Sequence, residues 1–135
     1  MEVKNKMFPN LDQIKLKAID FQKKLEEPIS KDDCEACIGR ITEIEIIMVE
    51  SGKLLADAKF YQDEAQSRLK EIVEQLGYNV SPSTLNNYIK SVTKNENYLC
   101  NWIERINRSA THLLENLRTC ISYRKEEMKN LNYKT

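Results

Sequence analysis

The feature that most constrains this chain is a sevenfold repeat of apolar side chains that runs unbroken from Cys34 to Leu76. Positions three and four residues apart form a single stripe on an α-helix. The first position of each unit reads Cys34, Ile41, Met48, Leu55, Gln62, Leu69 and Leu76, and the second reads Cys37, Ile44, Ser51, Ala58, Ala65 and Ile72. Eleven of these thirteen side chains are apolar or cysteine. The repeat predicts one long helix over 31–76, roughly 65 Å from end to end.

Turn-forming residues mark both ends of this predicted helix. Ser30 or Asp32 is suited to accept a hydrogen bond from the first backbone N–H groups. Gly77 follows the last apolar position, where a left-handed residue commonly ends a helix. Gly52 is predicted to be a weak point within the helix.

A shorter helix is predicted over 11–27, capped by Asn10 and ended by Pro28. Its apolar residues occur at steps of three and four and form one stripe: Leu11, Ile14, Ala18, Phe21 and Leu25. This stripe requires a neighbour to cover it.

A third helix is predicted over 82–131, with Ser81 as its cap and Pro82 at its first position. Its predicted apolar stripe is Leu85, Tyr88, Val92, Leu99, Trp102, Ile106, Ser109, Leu113, Leu117 and Cys120. The polar stretch 93–97 is expected to kink this helix or to divide it into two.

Together these patterns predict an all-α fold: a long antiparallel, coiled-coil-like hairpin with an additional N-terminal helix, in one domain of 135 residues. Two helices with apolar seams and a short connection must pack side by side. Residues 34–76 carry five basic and nine acidic side chains, and residues 77–135 carry nine basic and five acidic ones. Opposite charges would then flank the seam. A turn near Ser81 pairs residues whose numbers add to about 158.

The segment from Ile44 to Val49 is apolar on more than one face. The long helix therefore needs a second neighbour there besides the third helix. Either the N-terminal helix or another subunit can supply it. Because a two-helix rod of this length has little cover of its own, we expect a homodimer.

Charge and hydropathy indicate which partners and which cellular compartment to expect. The formal charge is zero, with 21 basic and 21 acidic side chains, so the total charge points to neither nucleic acid nor an anionic membrane as partner. No apolar run approaches the roughly 20 residues of a membrane span, and MEVKNKMFPN lacks the apolar core of a secretory signal. We expect a cytoplasmic protein with free thiols, without membrane association.

The residues offer little for catalysis. With one histidine, His112, and no Gly-rich loop, GxSxG or HExxH motif, the chain predicts no enzyme and no cofactor. Cys34 and Cys37 form a CxxC, a spacing that suits zinc or thiol exchange, and the hairpin places Cys37 opposite Cys120. We favour the interpretation that these are small core residues, and we predict no metal site.

Aromatic residues are interleaved among the basic residues of the third helix, a pattern that suits single-stranded nucleic acid. The aromatic residues are Tyr88, Tyr98, Trp102 and Tyr123. Because no sustained basic run occurs and Trp102 and Tyr88 belong to the predicted core stripe, we favour a solvated face over a nucleic-acid site.

The segment Ser51–Tyr61, followed by a second long helix ending in Ser122–Lys125, resembles small all-helical proteins encoded by phages and prophages. In length and helical layout, the chain also resembles phage recombination mediators that load a recombinase on single strands. Our first hypothesis is a phage-encoded protein that binds and blocks a host partner, such as a CRISPR or other defence nuclease. Small size, missing catalytic groups and a large patterned surface favour it. The alternative is a single-strand-binding accessory factor for recombination or replication. A thiol- or zinc-dependent regulator is a third hypothesis.

Helical phase indicates which residues would contact a protein partner. They lie off the predicted seam yet are apolar, aromatic or basic: Ile46, Ile47, Val49, Phe60, Tyr61, Arg105, Arg108 and Arg118.

Overall fold

The computed structural model describes residues 9–30, 32–77 and 79–133. Within these ranges every regular element is a helix: α1 (Leu11–Glu26), α2 (Cys34–Gln75), α3 (Pro82–Val92) and α4 (Lys94–Tyr133). The prediction of an all-α fold is confirmed.

Helices α2 and α4 pack against each other along most of their length as an antiparallel hairpin. Hydrogen bonds that cross the hairpin give its register. Asn107 donates to Ser51 Oγ at 3.0 Å, and Gln66 donates to Thr93 Oγ1 at 3.5 Å. Both pairs agree with the predicted register, in which paired residue numbers add to about 158. The predicted fold class is therefore confirmed down to the pairing of its two long segments.

The buried face of α2 is rotated relative to the predicted stripe. The second position of the repeat is buried at Cys37, Ile44, Ser51 and Ala58, but the first position is only half-buried from Cys34 to Leu69. The column preceding the first position is buried instead, at Arg40, Ile47 and Leu54. Helix α1 packs against both α2 and α4, so the core of α2 faces two neighbours and is wider than a two-helix seam.

Helix α1 supplies the second neighbour that the apolar segment Ile44–Val49 requires. Ile14 and Ala18 are fully buried in the same core cluster as Ile44 and Ile47. Asn10 caps α1 as predicted: its side chain accepts from Gln13 N at 2.8 Å, and the Gln13 side chain accepts from Asn10 N at 3.0 Å. This reciprocal pair satisfies two backbone donors at the start of the helix.

A buried arginine on α2 binds the other end of α1. Arg40 is paired with the carboxylates of Glu27 at 3.0 Å and Glu43 at 3.1 Å. Its Nη2 also donates to the backbone oxygens of Lys24 and Glu27. Carbonyls in the last turn of a helix have no partner within the helix, and a cation is favourable there. Arg40 therefore stabilises the docked position of α1.

The C-terminal end of α2 agrees with the prediction, whereas its N-terminal end differs from it. Gly77 has a φ of 71°, the left-handed conformation predicted after the last apolar residue. At the start, neither Ser30 nor Asp32 is the cap: Asp33 accepts from Ala36 N at 3.2 Å, and α2 begins at Cys34. Lys31, included in the predicted helix, lies outside the described residues.

The third predicted segment is divided at Thr93. The Thr93 hydroxyl is buried and donates to the carbonyl of Ile89 at 2.7 Å. A threonine that bonds back to the preceding turn commonly bends a helix. The core stripe is also shifted from the predicted one, since Tyr88, Val92 and Ser109 are exposed. The buried positions there are Ile89, Leu99, Cys100, Ile103, Ile106, Ala110, Leu114 and Leu117.

Candidate protein-binding surfaces

The outer face of α2 carries three large apolar side chains, Ile46, Val49 and Phe60. On a helix of 3.6 residues per turn they share one face, and that face is opposite the buried column of Ile44 and Ser51. Ile46 is 58% exposed and Val49 is 64% exposed. We call these three residues the outer face; they were all predicted as partner-binding residues.

Acidic residues surround the outer face. Between Glu43 and Glu64 the chain has six acidic and two basic side chains. Glu45 accepts a hydrogen bond from Arg118 of α4 at 3.0 Å, one of the ion pairs expected along the hairpin. Glu50, adjacent to Val49, is exposed. Three of the six acids are ion-paired: Glu43 with Arg40, Glu45 with Arg118 and Glu64 with Arg68. The remaining three acids and two lysines leave the rim of the outer face weakly negative.

Two residues predicted to contact a partner belong to the core or its edge. Ile47 is 1% exposed and packs in the core, so its prediction as a surface residue is wrong. The reason is the position of α1, which covers this side of α2. Tyr61 is half-buried against the same core, and its ring meets Phe60 edge-on at a centroid distance of 5.7 Å.

The predicted arginines are exposed but do not converge on one groove. Arg118 is paired with Glu45, and Arg108 lies 3.4 Å from Glu104 on its own helix. Arg105 is exposed on the same helix. Trp102 is half-buried, and its Nε1 donates to Gln22 of α1 at 3.4 Å. The indole thus has a structural partner within the bundle.

The cysteines lie at the end of the bundle where α2 begins. Cys37 is buried and donates to the carbonyl of Ser30 at 3.6 Å, whereas Cys34 and Cys120 are half-buried. Burial raises the pKa of the Cys37 thiol, and the nearby Cys120 and Cys34 raise it further. Among the described residues no three His, Cys, Asp or Glu side chains are placed to hold a metal ion together.

We expect the four thiols to fall into two reactivity classes. Burial also raises the pKa of Cys100, so Cys37 and Cys100 form less thiolate at a given pH, and both are shielded. In the folded protein at pH 8, alkylation of these two should be at least about tenfold slower than that of Cys34 and Cys120. Timed iodoacetamide labelling followed by peptide mass spectrometry measures the rates. Equal rates at all four sites would contradict this burial pattern, and labelling in denaturant provides the control.

An apolar groove, missed by the sequence analysis, lies at the connected end of the hairpin. We call it the tip groove. It encloses 350 Å³ and is lined by Leu69, Ile72, Val73, Leu76, Val80, Thr84, Leu85 and Tyr88. Leu69, Ile72 and Leu76 were assigned to the seam with the third helix. The available signal was Val73 and Val80, apolar residues outside that seam.

Comparison of the chain with protein-family models, with curated proteins and with solved structures finds no match. In the described part of the chain, no helix has both the length and the apolar character needed to cross a membrane. The candidate surfaces are therefore argued from the exposure, charge and packing of the residues in this chain.

Proposed function

We propose that this chain is a non-enzymatic protein that acts by occupying the surface of another protein through the outer face of α2. The observation that carries the proposal is the exposure of Ile46 and Val49 opposite a core that α1 and α4 already complete. Apolar side chains of this size contribute strongly to binding when a partner buries them.

The charge around the outer face favours a basic partner surface. Arginines outside the stretch pair with three of its six acids, and the other three acids outnumber its two lysines, so the stretch has a small net negative charge. Complementary charge speeds association and selects against partners of the same sign. A surface that binds nucleic acid is basic, because it must neutralise phosphates.

We therefore take the nucleic-acid cleft of a host defence nuclease, such as a CRISPR effector, as the partner, and we propose a phage-encoded inhibitor. The outer face would compete with DNA for that cleft. Single-stranded nucleic-acid binding by this chain itself stays a prediction: Arg118 and Arg108 are matched by carboxylates, and no observation on the bundle favours it over the inhibitor.

The test measures DNA cleavage by a panel of purified CRISPR effector nucleases with increasing amounts of this protein. At least one nuclease should be inhibited, and excess duplex DNA should relieve the inhibition. Replacing both apolar residues (Ile46→Ser with Val49→Ser) should weaken inhibition about 10- to 100-fold, because two side chains that the partner buries are lost. Glu50→Lys should weaken it less, and more strongly at low salt.

Matched controls use similarly exposed residues elsewhere. Leu16→Ser changes an apolar residue of α1 that is as exposed as Val49, and Glu126→Lys reverses an exposed charge on α4. Both should inhibit like the original protein. Inhibition of no nuclease in the panel would overturn the nuclease proposal, and inhibition that the two serine changes leave intact would exclude the outer face. A gel shift of single-stranded oligonucleotide at low salt would support the alternative.

A further inference from the structure

The tip groove differs from the rest of the molecule in how little of it is covered. Along α2, every buried residue lies at or before Ala58, and α3 has one buried residue, Ile89. Within the described residues, α1 packs on α2 and α4 and does not contact α3. The connected end of the hairpin is thus essentially two helices thick, and two helices cannot cover each other's apolar faces when those faces are wide.

Four lining residues leave much of their side-chain surface in water: Ile72, Leu76, Val80 and Tyr88 are between 42% and 63% exposed. Among the described lining residues, only Thr84 and Tyr88 carry a polar side-chain group, a hydroxyl in each case. An apolar concavity of this kind is typical of a surface that another protein covers. Its occupant must itself be largely apolar and elongated.

We propose that the occupant is a second copy of this chain. Two α2–α3 ends, related by a twofold axis, pack their tip grooves together and complete a four-helix bundle. Two-helix hairpins commonly reach a closed core in this way, since each supplies half of the helices. A twofold contact uses the same patch on both copies, and this patch is apolar on both sides.

Charge distinguishes the tip groove from the outer face as a surface for self-association. From Arg68 to Lys90 the chain has three basic residues and two acidic ones, so two copies meet with both signs present and little net repulsion. Around the outer face, three acids remain against two lysines once the pairs with Arg40, Arg118 and Arg68 are counted, so two copies placed there would meet with like, weakly negative charge. The tip groove therefore fits the chain itself, and the outer face fits a basic partner.

The exposed apolar area limits the size of the dimer interface. The four exposed side chains and the half-buried Leu69, Val73 and Leu85 offer on the order of 500 Å² per copy, so the pair buries roughly 1,000 Å², near the lower limit for a specific interface. Interfaces of this size are typical of weak, reversible association, and we expect a dissociation constant of about 1–100 μM.

Sedimentation equilibrium tests the proposal on the full chain. The mass should rise from 15.8 kDa to twice that value as the concentration increases from about 1 μM to several hundred μM. Leu76→Glu and Tyr88→Glu, at exposed positions, should each raise the dissociation constant at least about 100-fold, because each buries a charge in an apolar contact. Circular dichroism verifies that each variant keeps its helices.

The matched control is Val49→Glu, at a residue as exposed as Leu76 but on the outer face. It should leave dimerisation unchanged. A protein that stays monomeric throughout the concentration series overturns the proposal, as does a dimer that Leu76→Glu leaves intact. Because nuclease inhibition is assigned to the outer face, loss of the dimer in Leu76→Glu with inhibition retained separates this inference from the proposed function.

Discussion

Replacing Ile44 with alanine is expected to lower the free energy of unfolding by about 3 kcal/mol, the largest effect that we predict for a single substitution. Ile44 is fully buried in the core that α1, α2 and α4 share. The change removes apolar contacts and leaves a cavity that these three packed helices can close only in part. Urea denaturation followed by circular dichroism measures the loss.

Ile46 provides the matched control, because it lies two residues further along the same helix and is exposed. Ile46→Ala should change the free energy of unfolding by less than about 0.5 kcal/mol. Equal effects from the two substitutions would mean that the buried face of α2 has been assigned incorrectly.

Replacing Arg40 with alanine is expected to lower the free energy of unfolding by about 2 kcal/mol. The substitution removes the hydrogen bonds to the carbonyls of Lys24 and Glu27 and the pairs with two carboxylates. Glu27 and Glu43 retain access to water, so no fully buried charge is left behind. Because the buried Nε of Arg40 has no hydrogen-bond partner within the described residues, we place the loss well below that of an ideal buried pair.

The effect of this substitution should be greatest in α1. Amide hydrogen exchange over Leu11–Glu26 should accelerate at least about tenfold in Arg40→Ala, while the centre of α4 changes less. Arg40→Met, which keeps an apolar stem, should recover part of the stability. Thr42→Ala, at an exposed position on the same helix, is the control. If Arg40→Ala proves as stable as Thr42→Ala, Arg40 does not hold α1 in place.

The hairpin and its register could be predicted because they depend on local information. A repeat of three and four residues produces a stripe on any helix, and a short turn with Ser81 and Pro82 sets which residues face each other. The residues that cap the helices bond to backbone only three residues away: Asn10 accepts from Gln13 N, Ser81 accepts from Thr84 N, and Gly77 N donates to the carbonyl of Glu74. Their capping geometry is therefore independent of distant packing.

The rotation of the stripe could not be predicted in the same way. Periodicity locates an apolar stripe, but the centre of burial depends on how many helices pack on it and from which side. Ile47 was assigned to the surface because it lies outside a two-helix seam. It is buried because α1 packs on that side, a contact between segments far apart in the sequence.

The two candidate surfaces differ in the same way: the outer face could be predicted from the sequence, and the tip groove could not. Exposure of Ile46, Val49 and Phe60 followed from helical phase, since they are opposite the buried column of α2. The tip groove could not be predicted from helical phase. It lies beyond the part of the hairpin that α1 covers, and next to the point where the third segment is divided at Thr93. The sequence by itself determined the helices, their caps and the antiparallel pairing, which depend on neighbours along the chain. Only the tertiary structure decided which apolar side chains remain in water, because that depends on where the short helix α1 docks against the long hairpin.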